Sequence, residues 1–221
     1  MVSCLAVLAS LCLNAQTVTE RDWHWTDLKN GIRTACLQDT LWGQPRYIAV
    51  VEYDPRIYGT FLLDAEREKA ESTNVLAARA GARGAINGSY FDMKELTPVT
   101  FFSLKGNVLG ETSPEEGFRT DGLVAIKDRK GHKVSIQAFD SAKRNRIAAR
   151  NHAVLAAGPL LLKKGRRLTA EDEGGFETGL HPRSVIGKDA EGKIAANEDA
   201  INGLKGDVKD LQDAVDANAD D

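Results

Sequence analysis

The sequence predicts an α+β domain dominated by β-structure, a mixed sheet with few helices, followed by a C-terminal amphipathic helix of the coiled-coil type. Three observations predict it. Short runs rich in β-branched and aromatic residues recur between turn signals, one stretch carries helical spacing with its own start and stop signals, and apolar residues recur every seven positions near the C-terminus. At 221 residues, 42% of them hydrophobic, the chain can bury one sizeable core, so a single domain with an appendage is expected.

The opening run "MVSCLAVLASLCLNAQ" is apolar and too short to span a bilayer as an ordinary helix. It reads as a signal peptide over residues 1–15, which makes the protein an exported one, periplasmic, secreted or on the cell surface. Cleavage there would remove Cys4 and Cys12 and leave Cys36 as the sole thiol, with no internal disulfide and no cysteine metal site.

Further on, "RYIAVVEYDP" and "IYGTFLL" read as two strands joined by a turn at Asp54-Pro55-Arg56. In "ESTNVLAARAGAR", Ser72 or Thr73 can cap a helix with Val75, Leu76 and Ala80 on one face, and Gly81 can end it. Next comes "GARGAINGSYFDM", whose glycines suggest a short buried strand at Ala85-Ile86 entering a tight loop that displays Asn87. Two hairpins are expected after it. One is "FFSL" with "NVLG" about Lys105-Gly106, and the other "GLVAIKD" with "HKVSIQAF" about Arg129-Lys130-Gly131. The basic stretch "AKRNRIAAR" reads as a solvated surface segment, since its four cations have no interleaved aromatics. In "NHAVLAAGPLLLKKGRRL" a Gly158-Pro159 step separates two apolar strands and suits the wall of a pocket. Finally, "HPRSVIGKDAEGKI" places His181-Pro182-Arg183 before a strand from Ser184 to Lys188.

The formal charge of −3 gives no whole-chain reason to expect nucleic acid or an anionic membrane as partner. That average hides an asymmetry. Residues 195–221 hold eight acidic residues and two lysines, which leaves 27 basic against 24 acidic residues in 1–194. In that acidic tail Ile201, Val208 and Val215 continue a seven-residue repeat begun by Ile194, with Asn197, Leu204, Leu211 and Asn218 three residues after each. These are the a and d positions of a coiled coil, and they point to a homo-oligomer formed through residues 194–218. The tail resembles the stalks of trimeric autotransporter adhesins.

The ordered series "INGSYFD", "AAGPLLLKKGR" and "HPRSVIGKDAEGKI" resembles the phosphodiester glycosidase family, which includes the enzyme that uncovers a phosphate by removing N-acetylglucosamine from a phosphodiester. The resemblance runs from about residue 70 to 194. After "HPRSVIG" the family continues with an Asp-Gly-Arg segment, a helix and an Asn-Leu-Asp-Gly-Gly-Gly-Ser loop, none of which follows here. It therefore implies a domain over residues 16–194 without the family's last third, and residues 195–221 as a separate tail. The implied partner is a sugar phosphate or glycan, and no nucleic acid is expected. Neither the residues nor the resemblance names a cofactor or a metal.

On that chemistry, Asp92 and His181 are the catalytic candidates. A carboxylate near the scissile bond is the general requirement of glycoside cleavage, and an imidazole exchanges a proton near neutrality. Asn87 and Gly88 are expected to meet sugar hydroxyls, Gly158 and Pro159 to wall the site, and Arg183 to present its planar fork of donors to the phosphate. Glu173 and Glu177 are further carboxylates on a Gly-rich stretch. The alternative readings are a carbohydrate- or phosphate-binding domain without catalysis, and an oligomeric surface or stalk protein with a β-rich head.

Overall fold

The structure, a computed structural model, describes residues 23–28, 30–41, 44–62, 71–92, 94–168 and 183–200. The proposed signal peptide, His181, Pro182, Glu173, Glu177 and residues 201–221 lie outside them.

The first three strands form a meander. Strand β1 (His24–Leu28) turns at Asn30-Gly31 into β2 (Ile32–Leu41), which pairs with β3 (Gln44–Tyr53) along its whole length. Asn30 and Gly31 both have positive φ, +69° and +83°, a conformation that Asn and Gly adopt more readily than other residues. The chain then passes through the helix α1 (Thr73–Arg79) and the loop that follows it. The second group of strands is β4 (Phe102–Leu104), β5 (Asn107–Gly110), β6 (Gly122–Ile126), β7 (Val134–Ala138) and, after the helix α2 (Arg144–Arg150), β8 (Ala153–Ala157). A small hairpin, β9 (Leu162–Lys163) with β10 (Arg166–Arg167), precedes β11 (Arg183–Lys188) and β12 (Ile194–Ala200).

These strands make two five-stranded sheets, in the orders β1-β2-β3-β12-β11 and β5-β4-β8-β6-β7. The domain is β-dominated as expected, but every pairing among the described residues is antiparallel rather than mixed. Hairpins and returns join the neighbours, and no crossover helix sets two of them parallel.

The central strands of the second sheet, β6 and β8, are buried on both faces. On one side Phe101, Leu123, Ala125, Val154 and Ala156 pack with Ala148 of α2, backed by Phe139 and Ile147. The Phe101 and Phe139 rings stack there with centroids 5.5 Å apart. On the other side Val124 and Val134 meet Ile194 of the first sheet, with Tyr53, Ile136 and Ile186 around them. Lys188 ties the sheets further, its Nζ donating to the Val134 carbonyl at 2.9 Å. Burial on both faces explains the unbroken apolar run "GLVAI" of β6.

Several local expectations hold. Ser72 occupies the N-cap position of α1, although its hydroxyl bonds Asn74 Oδ1 rather than a helix amide and no α1 residue is buried, and the helix ends at Ala80 with Gly81 at φ +62°. The Ala82 amide reaches the Ala77 carbonyl and the Gly81 amide that of Ala78, the paired bonds of a Schellman end. Both hairpins of the second sheet form where the turn residues put them.

Others do not. Residues 57–62 form no strand. The Ile57 and Tyr58 amides close on the Asp54 carbonyl, and the Thr60 amide bonds the Gly131 carbonyl at 3.0 Å. A Cβ on Gly59 would lie 2.2 Å from the Lys130 carbonyl, so this segment is pressed onto the β6–β7 turn instead of a sheet edge. Ala85-Ile86 is neither a strand nor buried, with Ala85 exposed and Ile86 half-buried. "AKRNRIAAR" is the surface segment expected, with Lys143, Arg146 and Arg150 exposed, but it also contains α2 and buries Ala148 at 2% exposure.

The largest correction concerns the start of the heptad repeat. Ile194 and Asn197, expected as the first a and d positions of a coiled coil, lie in β12, which pairs with β3 on one side and β11 on the other. Ile194 is fully buried between the sheets. Seven-residue spacing cannot compete with two ladders of backbone bonds and a core position, so the sheet extends past residue 194 to Ala200. The rest of the repeat lies outside the described residues.

Candidate functional site

The loop from Gly84 to Asp92 crosses from one sheet to the other. At its start Gly84 lies over Val51 of β3, where an added Cβ would be 3.9 Å from Cγ1. Gly88 then comes down on β8, where a Cβ would meet the Leu155 Cδ2 at 3.2 Å. This approach is closer than a side chain would comfortably allow, which is the physical reason for glycine there.

Three hydroxyls anchor the loop beyond Gly88. The Ser89 hydroxyl hydrogen-bonds that of Thr100 and donates to the Ala156 carbonyl at 3.4 Å, and the Tyr90 phenol donates to the Gly158 carbonyl at 3.5 Å. The two segments "INGSYFD" and "AAGP", far apart in sequence, therefore meet at the end of β8. The Gly158-Pro159 peptide is cis. Just beyond it, the Asp121 carboxylate accepts the Leu160 amide at 2.8 Å and holds the chain where it leaves β8.

Ser89, Tyr90, Phe91, Asp92, Val99 and Glu116 line a depression of about 450 Å³ at this point. Phe91 bridges to Pro98 and remains 49% exposed. Asp92 sits at the head of a tight turn. Its Oδ1 accepts the Lys94 amide at 2.7 Å and the Glu95 amide at 2.8 Å, and its carbonyl accepts the Leu96 amide. The Glu95 and Lys94 amides hold the Asp92 carboxyl below its ordinary value. The group is therefore ionised at neutral pH, suited to face a positive centre and unsuited to donate a proton.

Asn87 is tied down as well, its Oδ1 accepting the Thr73 hydroxyl at 2.5 Å at the start of α1. Asn87 and Gly88 lead into the depression, Asp92 lines it, and Gly158-Pro159 abuts it through Tyr90. Arg183 opens β11 in the other sheet, opposite Asp199, and His181 lies outside the described residues. Among the described residues no group of three His, Cys, Asp or Glu could hold a metal ion.

Glu116, Ser89, Tyr90, Phe91 and Val99 were not among the residues that sequence reasoning singled out as site candidates. For Tyr90 and Phe91 the signal was their position inside the first motif. Glu116 had only a local one, since "SPEEGF" marks the start of a short turn of 3₁₀ helix, Pro114–Arg119, and says nothing of what it faces.

A search of curated proteins finds no match to this chain. Among solved structures it is similar to a hypothetical protein from Synechocystis, with a TM-score of 0.51 at 14% sequence identity. The likeness covers 80% of this chain and 52% of that one, so the chain spans about half the length of that protein, and the shared feature is the fold. The family model for phosphodiester glycosidases matches residues 80–198. That match begins just before the Gly84–Asp92 loop, takes in Glu116 and Gly158-Pro159, and ends within β12. The chain belongs to the phosphodiester glycosidase family.

Proposed function

We propose that the chain is a hydrolase domain that releases a sugar, such as N-acetylglucosamine, from a sugar phosphodiester. The observation that carries the reading is the meeting of two family segments at one depression, which puts the carboxylates Asp92 and Glu116 on its lining beside Gly158. In the reaction the bond between the anomeric carbon and the phosphate oxygen breaks, and water supplies the oxygen that replaces it. The products are the free sugar and a phosphomonoester. Ionised Asp92 would stabilise positive charge at the anomeric carbon, with Glu116 the second carboxylate of the pair that glycoside cleavage employs. Asn87 and Gly88 would position sugar hydroxyls, with Gly158 and Pro159 as the wall. Arg183 would anchor the phosphate and His181 would exchange the proton with the leaving group.

A specific observation favours a second reading, a binding domain without turnover. Oδ1 of Asp92 and Oδ1 of Asn87 are already engaged within the protein. One experiment separates the two. The purified chain is given an α-N-acetylglucosamine phosphodiester and the corresponding plain glycoside, and phosphorus NMR follows the phosphomonoester. Hydrolysis of the diester alone, with kcat falling about 100-fold or more in Asp92→Asn, supports the hydrolase. Binding without hydrolysis supports the second reading. Arg183→Ala should weaken diester binding far more than sugar binding, and equal affinity for the sugar with and without phosphate would remove Arg183 from its role.

The same proposal places the protein outside the cytoplasm, supported by the composition of residues 1–15 and tested by N-terminal sequencing of the mature chain. For the tail, the spacing of Ile201, Leu204, Val208, Leu211, Val215 and Asn218 supports association through a short coiled coil. The excess of acidic side chains would make that association stronger at high salt. Sedimentation equilibrium tests it, and a monomer at both low and high salt would sink it.

A further inference from the structure

The β9–β10 hairpin stands apart from both five-stranded sheets. Its two strands have two residues each and turn through Lys164-Gly165, both at positive φ. A Cβ on Gly165 would find no described atom within 4 Å, so the tip is free of the body. An isolated two-stranded hairpin is at best marginally stable in water, and this one exposes its largest apolar side chains. Leu161 is 46% and Leu162 62% exposed, the latter the most exposed large hydrophobic residue described. Lys163, Lys164 and Arg166 are exposed beside them, and the sequence adds Arg167.

Two adjacent leucines remain exposed beside the exposed cations Lys163, Lys164 and Arg166. They match a surface that offers anionic phosphates above an apolar phase. We propose that the β9–β10 hairpin is a peripheral docking element for an anionic lipid bilayer. The leucines would enter the boundary between headgroups and acyl chains, and the cations would lie at the level of the lipid phosphates. A soluble polyanion would satisfy the cations and leave Leu161 and Leu162 without a partner. The hairpin begins just after Gly158-Pro159, so docking would hold the depression beside it close to the membrane surface. No described helix is long and apolar enough to cross a bilayer, and a docking arm does not require one.

The test is co-sedimentation of the full chain with vesicles of phosphatidylglycerol and phosphatidylcholine, against vesicles of phosphatidylcholine alone. Binding is expected only to the anionic vesicles and is expected to weaken at high salt. Each basic residue near such a surface contributes roughly fivefold in partitioning, so Lys163→Glu with Lys164→Glu should lower it on the order of twentyfold or more. Leu161→Ser with Leu162→Ser should lower it about tenfold. Lys127→Glu with Lys133→Glu, on the distant β6–β7 turn, should leave it unchanged. As a check independent of those losses, Leu162→Trp should add blue-shifted fluorescence with anionic vesicles. No binding to anionic vesicles overturns the proposal, as does equal loss in the control variant or an unshifted Leu162→Trp signal. Tighter binding to inorganic polyphosphate than to vesicles, insensitive to the leucine substitutions, overturns it in favour of a polyanion site. The readout involves no hydrolysis, so a failure here leaves the hydrolase reading untouched.

Discussion

The two five-stranded sheets bury their strands in different ways. In the second sheet all five residues of β6 are buried, and β8 buries four of five, because α2 covers one face and the first sheet the other. In the first sheet burial is scattered: Ile194 is buried toward β6 and β7, and Ala35, Leu37 and Arg46 are buried on the opposite face. Its outer face carries Glu52, whose carboxylate receives a two-pronged pair of hydrogen bonds from Arg33 at 2.8 Å, while the Arg33 guanidinium lies 4.1 Å over the Trp25 ring. Val185, on the outward side of β11, is 38% exposed. A strand buried along its whole length has to be apolar throughout, whereas a strand buried only at scattered positions tolerates polar residues between them.

The sharpest way to break this comparison is to empty each interface in turn. Phe101→Ala, in the layer between the second sheet and α2, removes a fully buried ring stacked on Phe139 and should cost about 3–5 kcal/mol in urea unfolding. Ile194→Ala, between the two sheets, should cost about 2–4 kcal/mol. If the second loss equals or exceeds the first, the contact between the sheets is the principal core and the helix-covered layer is secondary.

A smaller effect sharpens the contrast on the outer face. Glu52→Gln should cost under about 1 kcal/mol at neutral pH, because the pair is partly solvated. The Arg33 hydrogen bonds are the main cause that lowers the Glu52 carboxyl from its ordinary value. Its contribution is therefore full above the unfolded-state carboxylate range and fades as the pH falls through the lowered native value. The difference in urea midpoint between wild type and Glu52→Gln should shrink on acidification. A difference that grows in acid would mean that Glu52 is stabilised by something other than ionic pairing.

The same difference in burial governs what could be read from the residues. The apolar runs of β6 and β8, the hairpin turn at Lys105-Gly106 and the glycine-ended α1 were all legible, since burial on two faces and turn chemistry leave local marks. The hairpin of β1 and β2 left one too, Asn30-Gly31, a turn signal that the reading of the fold did not take up. Strand β12 left none. "IAANEDA" has few β-branched residues, and the apolar spacing that runs on beyond it suits a helix. The candidate site divides likewise. Asp92, Asn87 and Gly158-Pro159 stood out as glycine-rich or polar breaks in apolar surroundings, but Glu116 lies in an ordinary acidic turn.

Composition, spacing and turn residues were thus enough for a β-rich class, for the two hairpins of the second sheet and for the segments that the phosphodiester glycosidase family shares, because each of these depends on interactions within a few residues. Which strands share a sheet, whether residues 194–200 run as strand or helix, and which carboxylate joins Asp92 at the depression depend on partners distant in the chain. Pairing with β3 and β11 makes "IAANEDA" a strand by satisfying its backbone on both sides and burying Ile194. The fold of the loop over β8, anchored by Ser89 and Tyr90, brings Asp92 and Glu116 to one cavity. Local residue types carry no record of such distant contacts, since the free energy that selects them arises only when the sheets and the loop have come together.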